Sequence, residues 1–303
     1  MLETEHWGYL CMEGFPLVAQ QTDWKLHLDN RELARQRFGA EECRAIMTFS
    51  PGLVDHFKCF LPSELWPKLT YLYPAVTYPS GSPDREHEDF TILTVGNRYS
   101  DKGIPEALDA YAVLRQRHGE LVRMILVCGD LPTTYRIPEG VIHYRSRMNK
   151  EVRTAFFRAA DVFLLPNYWD AVGALMEACA FGVPAVTARI HHDETFVLHE
   201  RSGYLVEAPL FAYSEGYGTR WRNLHEFRAD IASRRERGGL RSVVEEASDR
   251  IEGMLSGSVD RAAMSEAALR LHAERFSPEV HNDRLRSIYA RALDGSGQTV
   301  IHE

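Results

Sequence analysis

The fold class is decided by one stretch, Asp161-Val-Phe-Leu-Leu-Pro166 followed by Trp169-Asp-Ala-Val-Gly-Ala-Leu-Met-Glu177-Ala-Cys-Ala-Phe-Gly-Val-Pro184-Ala-Val-Thr-Ala188. It predicts a buried strand, a loop, a helix, a tight turn and a second buried strand. The loop and the helix start then lie at the carboxyl end of a parallel strand, where open α/β sheets bind ligands. Glu177 is the single acidic residue on this apolar helix, and a buried charge requires a partner. We therefore predict that Glu177 binds a ligand, the alternatives being a salt bridge or a carboxylate at the helix surface.

The composition limits the classes of protein that this chain can belong to. Its 303 residues suffice for one large domain or two modest ones. The net charge of −8 argues against a nucleic-acid partner or an anionic membrane surface, because both favour a basic face. No apolar run is long enough to span a bilayer. The five cysteines form no C-x-x-C pair, so we expect a reduced, cytoplasmic setting and no transmembrane segment.

Continuous apolar strands alternate with helical segments from about residue 90 onward. Strands of this kind are typical of a parallel sheet that is covered by helices on both faces. Asn149 is a suitable N-cap for one of these helices. The pattern predicts an α/β domain with six strands, Thr91–Val95, Met124–Cys128, Val141–His143, Val162–Leu165, Ala185–Ala188 and Gly203–Val206.

The start of the chain contains fewer such units. Pro16–Ala19 and Ala45–Phe49 predict two strands accompanied by two helices, too few for a full doubly wound domain. Residues 1–78 are therefore predicted to form a partial N-terminal α/β region. Residues 79–89 combine prolines, a glycine and a run of charges, which is typical of an interdomain linker.

The alternation stops after the sixth predicted strand. Residues 208–240 contain several aromatic and arginine side chains and are predicted to be an insertion, either a flap over a ligand or a surface subdomain with its own small core. Helices follow, and Ser277-Pro278-Glu279 is a typical helix start. We expect a domain over residues 90–276 and a final helix within 277–303 that packs back on the N-terminal region.

Two cations follow the first strand of the main domain, in the loop Gly96-Asn-Arg98-Tyr-Ser-Asp-Lys102-Gly103. The loop precedes a helix N-terminus, whose amides and dipole attract anions. Arg98 and Lys102 in this position would suit a diphosphate, whereas the alternative is ordinary surface charge. The chain has no G-x-G-x-x-G after a strand, no P-loop motif and no H-E-x-x-H, so dinucleotide, P-loop and zinc-protease functions lose their main support.

Together these segments resemble the donor-binding half of a retaining GT-B glycosyltransferase of the large family 4 type (glycosyl transferases group 1). The similar features are the Gly-Arg-(x)-Lys-Gly loop, "DVFLLP", the glycine-containing helix start, "MEACAFGVPAVTA" and "HERSGYLV". They keep the family's order over about residues 90–206. The resemblance implies a GT-B fold with a Rossmann-like C-terminal domain and an incomplete N-terminal domain. A partner chain or a homodimer would then complete the acceptor side.

The resemblance also assigns roles to residues. Arg98 and Lys102 would neutralise the diphosphate of a nucleotide sugar, and Glu177 resembles the second glutamate of an E-x7-E motif that holds the ribose hydroxyls. The donor is the only small molecule implied, with neither a metal nor a cofactor. The other donor-binding positions that the resemblance implies are Gly96, Tyr144, Arg145, Gly173, Ala174, Leu175, His191, His192 and Glu194.

Three positions depart from the family's pattern. Arg98 lies two residues after Gly96 rather than next to it. Trp169, and not an acid, stands eight residues before Glu177, so Asp170 is the substitute candidate for the first glutamate. Arg189-Ile-His191-His192-Asp193-Glu194 replaces a loop with two glycines, and its bulky side chains would either select an unusual donor or fill the pocket.

The sequence thus predicts a metal-independent, retaining glycosyltransferase in which Arg98, Lys102, Asp170 and Glu177 carry the chemistry. Electrostatic stabilisation of the leaving diphosphate would supply most of the rate acceleration. One alternative is a non-catalytic subunit that binds a nucleotide sugar or acts as a scaffold for a partner transferase. A second alternative is a GT-B-fold nucleotide-sugar epimerase.

Overall fold

The computed structural model describes residues 2–3, 35–36, 38–77, 88–145, 148–169, 171–190, 193–210 and 224–294. The chain divides into two compact units. The first joins Met1–Ala75, Ala212–Asp230 and Arg275–Glu303, and the second joins Val76–Phe211 and Ile231–Glu274. Part of the predicted insertion at residues 208–240 thus belongs to the first unit. The domain boundaries that we drew from the sequence stay predictions.

The described strands are, in chain order, β1 (Leu2–Glu3), β2 (Ile46–Thr48), β3 (Leu69–Tyr71), β4 (Phe90–Val95), β5 (Val122–Val127), β6 (Val141–Tyr144), β7 (Val162–Leu165), β8 (Ala185–Ala188) and β9 (Gly203–Val206). The described α-helices are α1 (Pro51–Phe60), α2 (Ile104–His118), α3 (Lys150–Ala159), α4 (Val172–Ala180), α5 (Leu224–Glu236), α6 (Arg241–Leu255), α7 (Arg261–Leu271) and α8 (Pro278–Asp294). Among these helices, none combines the length and the apolar character that crossing a bilayer requires.

The second unit is built on a six-stranded sheet in the order β6-β5-β4-β7-β8-β9. Every neighbouring pair is parallel. Strands β4, β7, β8 and β9 are buried along their whole length, as expected where helices cover both faces. The predicted α/β class with a parallel sheet is therefore confirmed, and all six predicted strands are present with boundaries shifted by at most two residues.

Asp161, the first residue of the quoted stretch, holds three elements of the second unit together. Its carboxylate accepts hydrogen bonds from the Thr91 amide in β4, at 2.8 Å, and from the Arg261 guanidinium in α7, at 2.5 Å. The Asp161 side chain is only 3% exposed. Because both donors satisfy a nearly buried charge, loss of the Arg261 guanidinium is expected to destabilise the start of β7.

The described part of the first unit contains a three-stranded parallel sheet in the order β1-β2-β3. Strand β2 corresponds to the predicted strand Ala45–Phe49, whereas β3 was not predicted. The predicted strand Pro16–Ala19 lies outside the described residues.

Helix α8 contacts β3 and the residues after it within this unit. The His281 ring nitrogen Nδ1 lies 2.7 Å from the Tyr73 carbonyl, and the Arg284 Nε donates to the Tyr71 carbonyl at 3.0 Å. The Arg284 guanidinium also lies 3.5 Å from the centre of the Tyr71 ring. Ile288 completes a small apolar cluster with Ala45, Met47 and Leu72.

Candidate functional site

The strand order of the second unit reverses between β4 and β7. The chain moves from β4 outward to β5 and β6, and then returns to β7 on the other side of β4. The helices that follow these two central strands, α2 and α4, therefore both begin at the carboxyl edge of the sheet, on either side of one crevice. Open α/β sheets bind their ligands at such a switch point.

The loops after β4 and β7 are in direct contact. The Tyr168 amide donates a hydrogen bond to the Asp101 carbonyl at 2.9 Å. Gly103 has a φ of 66°, and a Cβ at this position would lie 2.0 Å from the Pro166 carbonyl oxygen. Only glycine fits both the left-handed backbone and this close approach. The two loops thus form one continuous wall around the start of α2.

Arg98 is held by two contacts in this wall. Its Nε lies 2.7 Å from Oδ2 of Asp101, whose side chain is fully buried. Its guanidinium also lies 5.0 Å from the centre of the Trp169 ring, a cation–π distance. Trp169, which departs from the family's acidic residue, therefore contacts one of the two predicted diphosphate ligands.

Lys102 lies one turn from Arg98 in a tight loop. Its amide donates to the Arg98 carbonyl at 3.2 Å, and the Gly96 amide donates to the Val127 carbonyl at 2.9 Å. A Cβ on Gly96 would lie 3.1 Å from the Lys102 Cβ and 3.0 Å from the Ile104 Cδ1. Both distances are shorter than ordinary van der Waals contacts, so residue 96 must be small for the loop to fold back over β4. This fold of the loop places Arg98 and Lys102 close to the N-terminus of α2.

The N-terminus of α4 forms the opposite side of the crevice. Its N-cap residue, Ala171, provides no side-chain hydrogen bond. The Leu175 amide donates to the Ala171 carbonyl at 3.0 Å, so it is engaged within the helix. The amides of Gly173 and Ala174 belong to the first turn, which has no intrahelical acceptor for them. The exposed Gly173 has open space where a Cβ would stand.

Glu177 lies in the second turn of α4 and forms a salt bridge, which was one of the alternatives from the sequence, with a partner that the sequence did not reveal. Two nitrogens of Arg153, on α3, donate to its Oε2, with the Nε at 2.9 Å and Nη2 closer still. The Glu177 side chain is 11% exposed and that of Arg153 is 27% exposed. Arg153 offsets the cost of burying the carboxylate, so the burial of Glu177 does not by itself require a ligand.

The predicted base-binding side lies at the end of β6. The Tyr144 side chain is 38% exposed, and its ring contacts that of Phe156 edge-on, with the centroids 4.7 Å apart. The Tyr144 carbonyl accepts a hydrogen bond from the Cys128 amide at 3.0 Å. Arg145 follows with an exposed side chain. An exposed aromatic ring and a cation therefore stand at the carboxyl end of this strand.

The loop after β8 is only partly described. Arg189 lies 2.6 Å from Glu194 and 2.7 Å from Glu207, so the exposed Glu194 carboxylate already has a charged partner. The predicted site residues Asp170, His191 and His192 lie outside the described residues. Their roles stay predictions.

A buried polar cluster that sequence reasoning missed lies between these loops. The Asn167 amide nitrogen donates to the Thr187 hydroxyl at 2.9 Å and to Oδ2 of Asp193 at 3.0 Å. All three side chains are fully buried. The cluster joins the ends of β7 and β8 to the turn that begins at Asp193. Its sequence signal was weak, since each residue alone is an ordinary polar residue near a strand end.

A second group that sequence reasoning missed lies at the first turn of α2. Glu106, in the first turn of α2, is 1% exposed and accepts from Arg235 on α5, with the Nε at 2.7 Å and Nη2 at 3.0 Å. Burial and the neighbouring Glu106 carboxylate raise the pKa of Tyr168 well above its usual value. The group holds the first turn of α2 in place. Among the described residues, no cluster of histidine, cysteine, aspartate or glutamate has an arrangement that could hold a metal ion.

Comparison with known proteins agrees with this geometry. The family "Glycosyl transferases group 1" matches residues 80–215. The amylovoran biosynthesis glycosyltransferase AmsK of Erwinia amylovora is 29% identical over 136 residues, which cover 40% of this chain and 33% of that protein. The chain thus spans about a third of the length of this relative.

Two solved structures have the same fold. The sucrose-phosphate synthase of Thermosynechococcus elongatus matches 97% of this chain and 67% of its own length, with a TM-score of 0.65 and 14% identity. Anabaena HepE, solved in complex with UDP and glucose, matches 88% of this chain and 67% of its own length, with a TM-score of 0.61 and 14% identity. These matches show that the chain has the fold of the GT-B glycosyltransferases and that its residues 80–215 are similar to the glycosyl transferases group 1 family.

Proposed function

We propose that this protein is a retaining, metal-independent glycosyltransferase that transfers a sugar from a nucleotide-diphosphate sugar. One observation supports this most strongly. Two cations, Arg98 and Lys102, and the N-termini of α2 and α4 converge on the switch point of the sheet. Helix N-termini and fixed cations together favour a diphosphate, which carries charge over several oxygens.

The same groups would act in the reaction. As the bond between the sugar and the diphosphate breaks, negative charge grows on the departing phosphate oxygen. Arg98, Lys102 and the first-turn amides of α4 stabilise that charge more in the transition state than in the ground state, which lowers the barrier. The contacts of Arg98 with Asp101 and Trp169 fix the position of its guanidinium before the donor binds. The Arg98 side chain therefore has to move less to reach the transition state.

The remaining parts of the donor are assigned from the family resemblance. Glu177 would accept hydrogen bonds from the ribose hydroxyls, and Tyr144 and Arg145 would border the base. The sugar would lie toward Glu194 and the residues around it, with Asp170, His191 and His192 as the predicted contacts. The leaving phosphate would accept the acceptor's proton, so that no protein base is needed.

A donor panel tests the proposal. Isothermal calorimetry with UDP, GDP and ADP, and with their glucose conjugates, should show binding of one nucleotide class with a dissociation constant below about 1 mM. An assay for released nucleoside diphosphate with a mixture of sugar acceptors then measures turnover. Absence of binding throughout the panel would reject the transferase and the epimerase together.

The same panel separates the two alternatives from the transferase. A donor that binds without turnover in any acceptor mixture would indicate a nucleotide-sugar-binding subunit. Interconversion of the free nucleotide sugar, followed by NMR, would indicate an epimerase. The expectation that a partner chain or a homodimer completes the acceptor side stays a prediction, and light scattering of the purified protein tests the homodimer.

A further inference from the structure

Helix α3 contacts both of the segments that the proposed function assigns to the nucleoside. Arg153 donates to Glu177 on α4, the proposed ribose ligand. Three residues further along, Phe156 packs edge-on against Tyr144 on β6, the proposed border of the base. Residues three apart lie on the same face of a helix. One face of α3 therefore contacts the ribose side and the base side of the candidate site.

The contact between Arg153 and Glu177 involves two nitrogens of the arginine and one oxygen of the glutamate. Both donating nitrogens of Arg153 converge on the same carboxylate oxygen, Oε2. A guanidinium is a planar, rigid fork, so two bonds from it fix the position of that oxygen. Glutamate is among the side chains that lose most rotamer freedom when they are fixed. A carboxylate that is already held would lose less of this freedom on binding a ligand.

We propose that Arg153 is a positioning residue for the ribose of the donor. It does not contact the nucleotide, but it holds the Glu177 carboxylate in the orientation that accepts the ribose hydroxyls. This inference rests on the proposed function, in which Glu177 binds the ribose. It goes further by naming the residue that prepares Glu177 and the part of the donor whose recognition depends on it.

The test compares nucleotides with and without ribose hydroxyls. Calorimetry is carried out with UDP, GDP and ADP and with their 2′,3′-dideoxy forms on the wild-type protein and on Arg153→Met, which keeps an apolar stem but no donor. We expect Arg153→Met to weaken binding of the ribonucleotide about 10-fold, a typical effect for a hydrogen bond to a charged group. Binding of the dideoxy form should change less than about 2-fold, because that form lacks the groups that Glu177 contacts.

Two further variants make the result specific. Arg153→Lys keeps the charge without the fork and should recover part of the preference for ribose. Arg158→Met is the matched control, because Arg158 is an exposed arginine on the same helix, and it should leave both affinities unchanged. If Arg153→Met is too unstable to measure, Arg153→Lys decides, since a positioning role requires that this variant lose more affinity for the ribonucleotide than for the dideoxy form.

Several outcomes would overturn the inference. Equal losses for the ribose and dideoxy forms would show a general structural role for Arg153. Tighter binding of the ribonucleotide to Arg153→Met would show that Arg153 competes with the ribose for Glu177. If the wild-type protein prefers ribose and Arg153→Met keeps that preference in full, the inference fails while the proposed function stands. If the wild-type protein binds none of the three diphosphates, both fail.

Discussion

The guanidinium of Arg98 lies 5.0 Å from the centre of the Trp169 ring. These residues come from the two loops that meet at the switch point, and Trp169 stands where the family resemblance leads one to expect an acid. An aromatic ring cannot replace a carboxylate as a hydrogen-bond acceptor, but it can hold a cation over its face. The position therefore contributes to the side of the candidate site that we propose to bind the diphosphate.

Replacement of Trp169 by leucine tests this contact. We expect the affinity for the bound nucleoside diphosphate to fall about 2- to 5-fold, because a cation–π contact at a partly exposed site contributes about 0.5–1 kcal/mol. Calorimetry with the diphosphate and the matching monophosphate measures the effect, and Trp169→Phe should retain most of the affinity. Losses of the same size for both nucleotides would argue against a role in placing Arg98.

Removal of the Lys102 charge should impair turnover more than stability. We expect Lys102→Ala to lower turnover by about 100-fold or more, because an electrostatic group acting on transition-state charge typically contributes on this order. Arg98 requires a milder change, Arg98→Lys, since alanine would leave the buried Asp101 carboxylate without its guanidinium.

The control for both charge changes is Arg201→Ala, which removes an exposed cation elsewhere in the second unit. The measurements are nucleotide release per unit time and the urea midpoint of unfolding. Full turnover in Lys102→Ala would refute the assignment of this residue.

Gly103 should tolerate no side chain. Gly103→Ala combines a φ of 66° with a Cβ placed 2.0 Å from the Pro166 oxygen, so we expect a loss of about 2–5 kcal/mol in the free energy of unfolding. Gly257→Ala is the matched control, since Gly257 has a φ of 75° and nothing within 4 Å of its Cβ position. It should lose only about 1 kcal/mol. Urea unfolding measures the loss of stability in both variants, and the difference between them gives the cost of the clash with Pro166. Equal losses in the two variants would show that the clash has no effect.

The Glu106–Arg235 pair should contribute strongly to stability. Arg235→Met leaves a carboxylate that is 1% exposed without its guanidinium, and we expect a loss of about 3–5 kcal/mol. Arg241→Met removes the exposed pair with Glu245 and should change stability by no more than about 0.5 kcal/mol. The double variant Glu106→Leu/Arg235→Met should be more stable than Arg235→Met alone, and a double variant that is less stable would contradict this account.

Tyrosine titration provides a pH test. Burial, together with neighbouring groups, raises the pKa of Tyr99 to about 12 and that of Tyr73 to about 12, from an ordinary value near 10. The native state therefore keeps these protons at a pH where the unfolded chain has lost them. Their contribution to stability is complete below about pH 10 and declines as the pH rises from about 10 to 12.

The measurement is the urea midpoint at pH 9, 10 and 11, for the wild-type protein and for Tyr99→Phe and Tyr73→Phe. Each variant should show a shallower decline above pH 10 than the wild-type protein. An unchanged decline in both variants would show that other groups control alkaline unfolding.

Much of the fold was predictable because its signals are local. The apolar runs that became β4, β7 and β8 are buried along their whole length, and a continuous apolar run indicates such a strand without any knowledge of its neighbours. Asn149 caps α3 as predicted, with its Oδ1 accepting from the Val152 amide at 2.9 Å. Strand β3 was not predicted, although it has the same three-residue length as β2.

The candidate site was predictable only in outline. Arg98 and Lys102 could be placed beside a helix N-terminus because a strand, a loop and a helix follow each other directly in the sequence. Arg153 could not be connected with Glu177 in this way. The two residues lie on different helices, and their contact depends on how α3 and α4 pack on the sheet.

By itself, the sequence determined the class of the fold, the strands of the six-stranded sheet and the loops that border the crevice. These follow from hydrophobic periodicity and helix-end residues, which act over a few positions along the chain. Only the tertiary structure decided which charges meet, namely Arg98 with Asp101 and Trp169, Glu106 with Arg235, and Glu177 with Arg153. Apart from the short-range pair with Asp101, these contacts join separate elements. The charge of a buried carboxylate must be compensated once water is excluded. Such a carboxylate therefore pairs with the cation that the packing of the helices brings within reach.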